Sequence, residues 1–142
     1  VLHPGAIALM VIDDEDKILL VNQYRYPTKE ILLEIPAGTR EPNEQSLDTA
    51  AREVREETGY SAESLVHIGG TWMAPGFCTE YIDYFVASNL SYDPLPQDPD
   101  EFISEPIRVT YEEMVSLISS SKIKDAKSIV GFMLYQIYKS RE

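Results

Sequence analysis

Residues 46 to 60 carry the pattern that most restricts how this chain can fold. With residues set about 100° apart around an ideal helix, Leu47, Ala50, Ala51, Val54 and Thr58 fall in one arc, and Glu53, Glu56 and Glu57 fall in a second arc roughly opposite. Gly59 follows directly, and glycine most readily takes the left-handed conformation that closes a helix. The spacing therefore predicts an amphipathic helix from about Ser46 to Thr58 with a defined end. A glutamate-rich helix face is ordinary when it only meets water, but this spacing asks for more. Glu53 and Glu57 are i and i+4, so their carboxylates repel each other by roughly a few tenths of a kcal/mol, and Glu56 adds to the same field. Arg52 pairs with Glu56 at i+4 and relieves part of it. Clustered carboxylate oxygens of this kind suit a hard divalent cation, which keeps its remaining positions for water and phosphate oxygens.

The rest of the chain is β-rich before and after this helix and helical at the end. Residues 5 to 13 and 17 to 25 are apolar runs on either side of the charged turn Asp14-Glu15-Asp16, and read as a β-hairpin. Residues 31 to 36 read as a short strand closed by Pro36, with a polar loop beginning at Ala37-Gly38. Residues 65 to 73 and 80 to 88 are again β-rich, separated by Ala74-Pro75-Gly76-Phe77. Residues 91 to 101, with three prolines and four acidic residues, read as a loop. Ile107-Arg108-Val109 is a brief strand. Thr110 with Glu113 forms a capping-box signature for a helix to about Ser120, and a last helix is expected from about Ala126 to Tyr138. The expected fold class is α+β, one domain over residues 1–142, with helices packed on a mostly non-alternating sheet.

Charge narrows the range of partners. A formal net charge of -12 over 142 residues, without a clustered Lys/Arg patch, argues against nucleic acid and anionic membranes. No apolar run approaches the ~18 residues of a membrane span, and no secretory signal is visible. The single cysteine, Cys78, fits a reducing compartment, so the cytoplasm is expected. An acidic protein that handles a phosphorylated small molecule needs a divalent cation between carboxylate and phosphate.

Gly38, Glu44, Arg52, Glu53, Val54, Glu56, Glu57, Gly59 and Tyr60 stand at every defined position of the pattern Gly-x5-Glu-x7-Arg-Glu-U-x-Glu-Glu-x-Gly-U, where U is bulky and apolar. A chance match in a chain of this composition is on the order of one in a million. The sequence thereby resembles the Nudix hydrolases. The resemblance implies a Nudix fold, a mixed β-sheet packed between helices in an α/β/α sandwich. It also implies Mg2+, with Mn2+ able to substitute, held by Glu53, Glu57 and the main-chain carbonyl of Ala37. Glu56 would bind metal or orient water. Arg52 and Glu44 would be orienting residues, since an Arg fixes a carboxylate rotamer by a bidentate hydrogen bond. In such enzymes metal ions neutralise a diphosphate and activate a water, so no protein nucleophile is needed.

Flanking segments refine the resemblance. Gln23-Tyr24-Arg25-Tyr26-Pro27, Leu33-Glu34-Ile35-Pro36-Ala37-Gly38 and Ala74-Pro75-Gly76-Phe77-Cys78-Thr79-Glu80 are similar to the ADP-ribose pyrophosphatase branch, marked by a proline about fifteen residues beyond the box. Pro75 meets that rule, and Gly76 would let backbone approach a ligand. Arg25 is a candidate for the diphosphate or terminal phosphate. Tyr24, Tyr26 and Phe77 are candidates for stacking on a base, with a core or interface place as the alternative. Glu80 is a candidate for substrate or metal, and Cys78 is read as a bland small residue. The branch implies a general-base glutamate on a late loop, with Glu101 as first candidate and Glu105 as second. It also implies a homodimer, in which a further N-terminal strand region crosses between subunits. This chain starts almost at the first catalytic strand; either that segment is missing from it or its role is reduced, which leaves the adenine contacts and the dimer geometry open. The implied reaction is cleavage of a nucleoside diphosphate sugar, with ADP-ribose giving AMP and ribose 5-phosphate as first candidate. Alternatives are GDP-mannose, a dinucleoside polyphosphate or an oxidised nucleotide, or a non-catalytic ADP-ribose-binding module, for which a degenerate box is expected.

Overall fold

The computed structural model describes residues 1–96, 99 and 105–142. Ten elements follow in chain order: β1 (Ala6–Val11), β2 (Ile18–Arg25), β3 (Glu30–Glu34), β4 (Ala37–Thr39), α1 (Ser46–Thr58), β5 (Tyr60–Trp72), β6 (Tyr81–Tyr92), β7 (Ile107–Val109), α2 (Tyr111–Ser119) and α3 (Ala126–Ser140). They form a four-stranded sheet of order β4-β1-β6-β5 and a three-stranded sheet of order β3-β2-β7. β1 runs parallel to β6, from Ala6 opposite Ile82 to Val11 opposite Ala87. The other pairings are antiparallel.

β1 explains the layering. All six of its residues are buried, and successive side chains of a strand point to opposite faces. Ala6, Ala8 and Met10 pack with Tyr84 and with Phe132 and Tyr135 of α3. Ile7, Leu9 and Val11 pack with Ala50 and Val54 of α1. The larger sheet therefore lies between α1 and α3, as expected for an α/β/α arrangement, and its central strand reads as a continuous apolar run. Each fully buried Ile, Leu or Met contributes roughly 1.5–3 kcal/mol over an exposed one. Met114 of α2 joins Ile18, Leu20 and Val109 against the smaller sheet.

The hairpin expected from residues 5 to 25 is not formed. β1 and β2 meet only at an isolated bridge between Ile12 and Ile18 and enter different sheets. Both edges of β1 are taken, one by β6 and the other by β4. β4 itself lies where a polar loop was expected. Its three residues pair with Ala6, Ile7 and Ala8, and so complete the hydrogen bonding of a buried strand edge. β5 and β6 form a long hairpin with an irregularity between His67 and Gly69, and both strands are longer than their sequence pattern suggested.

The expected ends of the helices are present. Gly59 closes α1 with φ 81° and an N–H donated to the Arg55 carbonyl. Thr110 and Glu113 form the reciprocal capping box of α2. Among the described residues, no helix is long and apolar enough to cross a membrane.

Candidate active site

The acidic edge of α1 is tucked against β4, contrary to its expected place opposite the buried arc. Glu53 is 7% exposed and Glu57 3%, both beside the buried Ala50 and Val54, whereas Leu47 is 52% exposed and Ala51 faces solvent. The neighbouring strand supplies the reason. A Cβ on Gly38 would stand 2.0 Å from Glu53 Cδ and 2.2 Å from Oε1, so only glycine admits the carboxylate there. One residue earlier, the Ala37 N–H donates to Glu57 Oε1 at 3.3 Å. A helical wheel drawn by hydropathy assigns these glutamates to water because it does not see this small-residue strand.

Arg52 organises the outer carboxylates. Its Nε and Nη2 donate to Glu44 Oε2 and Oε1 at 3.0 and 2.9 Å, a bidentate fork. Its Nη1 donates to Glu53 Oε1 at 2.8 Å and to Glu56 Oε2 at 3.0 Å, so the i+4 pair expected from the sequence is formed. The hydrogen bonds from Arg52 hold the Glu44 pKa down at about 2 against the opposing effect of burial, helped by the Glu41 N–H and the Thr49 hydroxyl. Hydrogen bonding to Glu44 and attraction by Glu53 and Glu56 raise the Arg52 pKa above its ordinary value, again against burial.

Glu53, Glu56 and Glu57 of α1 and the main chain of Ala37 on the adjoining strand carry hard oxygens, the donor type that suits a divalent cation. The close seat of Glu53 over Gly38 supports that fit, because it keeps a carboxylate against the strand. Among the described residues, the three carboxylates whose oxygens lie within 4.8 Å of one another are those of Asp13, Asp14 and Glu15, not those of α1. There Asp13 serves the β1–β2 turn, accepting from Glu15 N, Lys17 N and Arg108 Nε.

Two cavities flank the Ala37–Glu57 contact. The first, about 420 Å³, is lined by Gln23, Arg25, Ala37, Gly38, Glu80 and Lys127 among others. The second, about 440 Å³, is lined by Glu56, Glu57, Tyr92, Glu105 and Pro106 among others. Both are within the range of small-molecule sites. Arg25 and Glu80 thus share a cavity with Ala37 and Gly38, while Glu105 shares one with Glu56 and Glu57. Glu101 lies outside the described residues. Tyr24 and Tyr26, 48% and 77% exposed, line neither cavity. Pro75 and Gly76 sit on the exposed turn that follows β5, also away from both linings, and a Cβ on Gly76 would meet nothing within 4 Å. Phe77 is 71% exposed on the same turn, and Cys78 is partly buried.

Sequence reasoning overlooked Glu34, Asp125 and Lys127. Glu34 is 1% exposed and accepts from Arg25 and Lys127. Burial pushes its pKa up, but the Arg25 hydrogen bonds and the Lys127 charge outweigh burial and hold it below the ordinary value. The available signal was a lone acid inside the apolar run Leu32-Leu33-Glu34-Ile35. Nothing comparable marks Lys127, which sits in the first turn of α3.

A buried pair of glutamates on a glycine-capped helix is thus seated on a small-residue strand between two cavities. The Nudix domain pattern matches residues 1–129, and the chain belongs to the Nudix family. It is 40% identical over 137 residues to the ADP-ribose pyrophosphatase of Bacillus subtilis (strain 168), covering 95% of this chain and 74% of that protein. It is 32% identical over 143 residues to the GDP-mannose pyrophosphatase of Yersinia enterocolitica serotype O:8 / biotype 1B, covering 94% and 74%. In fold it matches the crystal structure of an ADP compounds hydrolase with a TM-score of 0.83 at 23% identity, over 96% of this chain and 74% of that one.

Proposed function

We propose that this chain hydrolyses the diphosphate bond of a nucleoside diphosphate sugar, with ADP-ribose as substrate and AMP and ribose 5-phosphate as products. The observation that carries the reading is the seat of Glu53 and Glu57 against Gly38 and Ala37, at the wall between the two cavities. The 40% identical ADP-ribose pyrophosphatase supports the choice of substrate.

In this reading Glu53, Glu57, Glu56 and the Ala37 carbonyl hold Mg2+, which Mn2+ can replace. The ions supply Lewis-acid neutralisation of the diphosphate and activation of water. Arg52 keeps Glu44, Glu53 and Glu56 in fixed rotamers through its four hydrogen bonds to them. Arg25 receives diphosphate oxygens in the first cavity. A water attacks one phosphorus, the bond to the bridging oxygen breaks, and the water's proton passes to Glu101 or Glu105. Glu105 borders the cavity that Glu56 and Glu57 line. Glu80, which lines the first cavity 3.6 Å from His3, contacts substrate or metal. Tyr24, Pro75 and Gly76, which line neither cavity, take no part in this reading. A homodimer covers the exposed Trp72, Phe77 and Tyr26. The lone Cys78 suits the cytoplasm.

GDP-mannose is the second reading, favoured by the 32% identical GDP-mannose pyrophosphatase. A substrate panel decides between them. The protein is incubated with Mg2+ and ADP-ribose, GDP-mannose, a dinucleoside polyphosphate or an oxidised nucleoside triphosphate, and products are separated by chromatography. Preferential release of AMP from ADP-ribose is expected. Preferential cleavage of GDP-mannose moves the assignment to the second reading, and binding of ADP-ribose without cleavage of any compound overturns the enzymatic one.

A further inference from the structure

Arg25 reaches the first cavity from the end of β2, and its guanidinium is held in a fixed plane. Nε donates to Glu34 Oε2 at 2.8 Å and Nη2 to Glu34 Oε1 at 2.6 Å. Nη1 donates to no described residue and is left for a ligand. The fork is therefore aimed by Glu34, and Glu34 must itself be held. A buried carboxylate is costly unless it is paired and hydrogen-bonded on more than one side.

The second hold comes from 93 positions away in sequence. Lys127 Nζ donates to Glu34 Oε1 at 2.7 Å, and also to Asp125 Oδ1 and Oδ2 at 3.0 and 2.9 Å. Asp125 accepts the Ser128 hydroxyl at 2.5 Å, and the same hydroxyl oxygen accepts the Ile35 N–H at 2.9 Å. The network closes on itself across β2, β3 and the first turn of α3. It contains two cations and two carboxylates, so it adds no net charge to the cavity.

Lys127 also lines that cavity, which raises the question whether it touches substrate. Its chemistry answers that. An ammonium has three N–H donors, and Glu34 Oε1, Asp125 Oδ1 and Asp125 Oδ2 take three. Its side chain is 10% exposed, against 37% for Arg25. The cation offered to a ligand is Arg25, and Lys127 stands behind it.

We propose that Lys127 is a positioning residue for the diphosphate contact: through Glu34 it sets the orientation in which Arg25 meets the substrate. The inference rests on the reading of Arg25 as that contact. It identifies the start of α3 as part of the substrate site, although α3 carries none of the residues that define the family pattern.

A double-mutant cycle tests it, because residues acting through one another lose function non-additively. The four proteins are the unmodified chain, Arg25→Ala, Lys127→Met and the double variant, read by kcat/KM on ADP-ribose and by calorimetric binding of α,β-methylene ADP-ribose, a non-hydrolysable analogue. Each single change is expected to lower kcat/KM by roughly 100-fold, the order seen when a substrate-positioning group is misplaced. The double variant is expected to be no worse than Arg25→Ala, with the same pattern in analogue binding. Should Lys127→Met fail to melt cooperatively, the cycle is run with Lys127→Met/Asp125→Asn in its place, which removes one charge of each sign. Losses that multiply in the double variant overturn the inference while leaving Arg25 as a contact, as does a folded Lys127 variant with normal kcat/KM. A normal Arg25→Ala removes the underlying reading of Arg25 itself.

Discussion

The carboxylate of Glu53 rests on the bare backbone of Gly38, at a separation that one methyl group would close to 2.0 Å. The contact joins a helix and a strand that the sequence separates by a polar loop. Replacing Gly38 by Ala forces Glu53 out of its seat, since the overlap involves its Cγ and Cδ as well as the carboxylate oxygen. The variant is expected to be less stable by about 1–3 kcal/mol, the usual range for overpacking, and to lose turnover by a larger factor than stability accounts for. Melting and steady-state kinetics on the same preparation check it. A folded Gly38→Ala with normal turnover sinks the proposed role of Glu53.

Metal dependence is the second expectation. Millimolar Mg2+ should raise the melting temperature of the unmodified chain, because a ligand that binds only the folded state stabilises it by about 2.7 kcal/mol at one hundred times its dissociation constant. Glu57→Gln keeps the size of the side chain and removes its charge, so both the Mg2+-induced shift and turnover should largely disappear. A melting shift unchanged in Glu57→Gln would place the cation elsewhere.

Kinetics separate the two base candidates. Loss of a general base appears in kcat more than in ground-state binding. Glu101→Gln and Glu105→Gln are each compared with the unmodified chain, and one of them should lose about 100-fold or more in kcat with little change in substrate affinity. If both keep kcat, the box glutamates suffice and no loop-borne base acts.

Acid stability carries a signature of Glu44. Its pKa in the folded chain is lowered from 4.5 to about 2, first by hydrogen bonds from Arg52. A group whose pKa is depressed on folding contributes stability that is complete above its ordinary pKa and is lost as pH falls through the folded value. The unmodified chain should therefore exceed Glu44→Gln in melting temperature above pH 4.5, and that advantage should shrink steadily down to about pH 2. A difference that stays constant over this window would show that the carboxylate charge contributes nothing.

The parts of this molecule governed by local chemistry could be read in advance. The Gly59 cap, the Thr110–Glu113 box and the Arg52–Glu56 pair each involve residues within a single turn, and all three are formed. What depends on distant partners could not. The pairing of β1 with β6 rather than β2 turns on which of several apolar runs fills each edge, and periodicity carries no such address. The helical wheel sets Leu47 and Ala51 roughly opposite Glu53 and Glu57, but it carries nothing about the small-residue strand that buries the glutamates instead. Lys127 in a helix start is unremarkable until Glu34 is found beside it.

The Glu34–Lys127 bond has a kinetic meaning of its own. Contacts so remote in sequence form late when a chain folds, because closing a long loop costs entropy before any contact can reward it. The carboxylates of α1 can be arranged within a few dozen residues, but on the proposed role of Lys127 the orientation of Arg25 would wait for α3 to dock. During synthesis, a ribosome-tethered chain would then assemble its acidic half-site before it could grip a diphosphate, and the appearance of tight substrate binding would report that folding had reached α3.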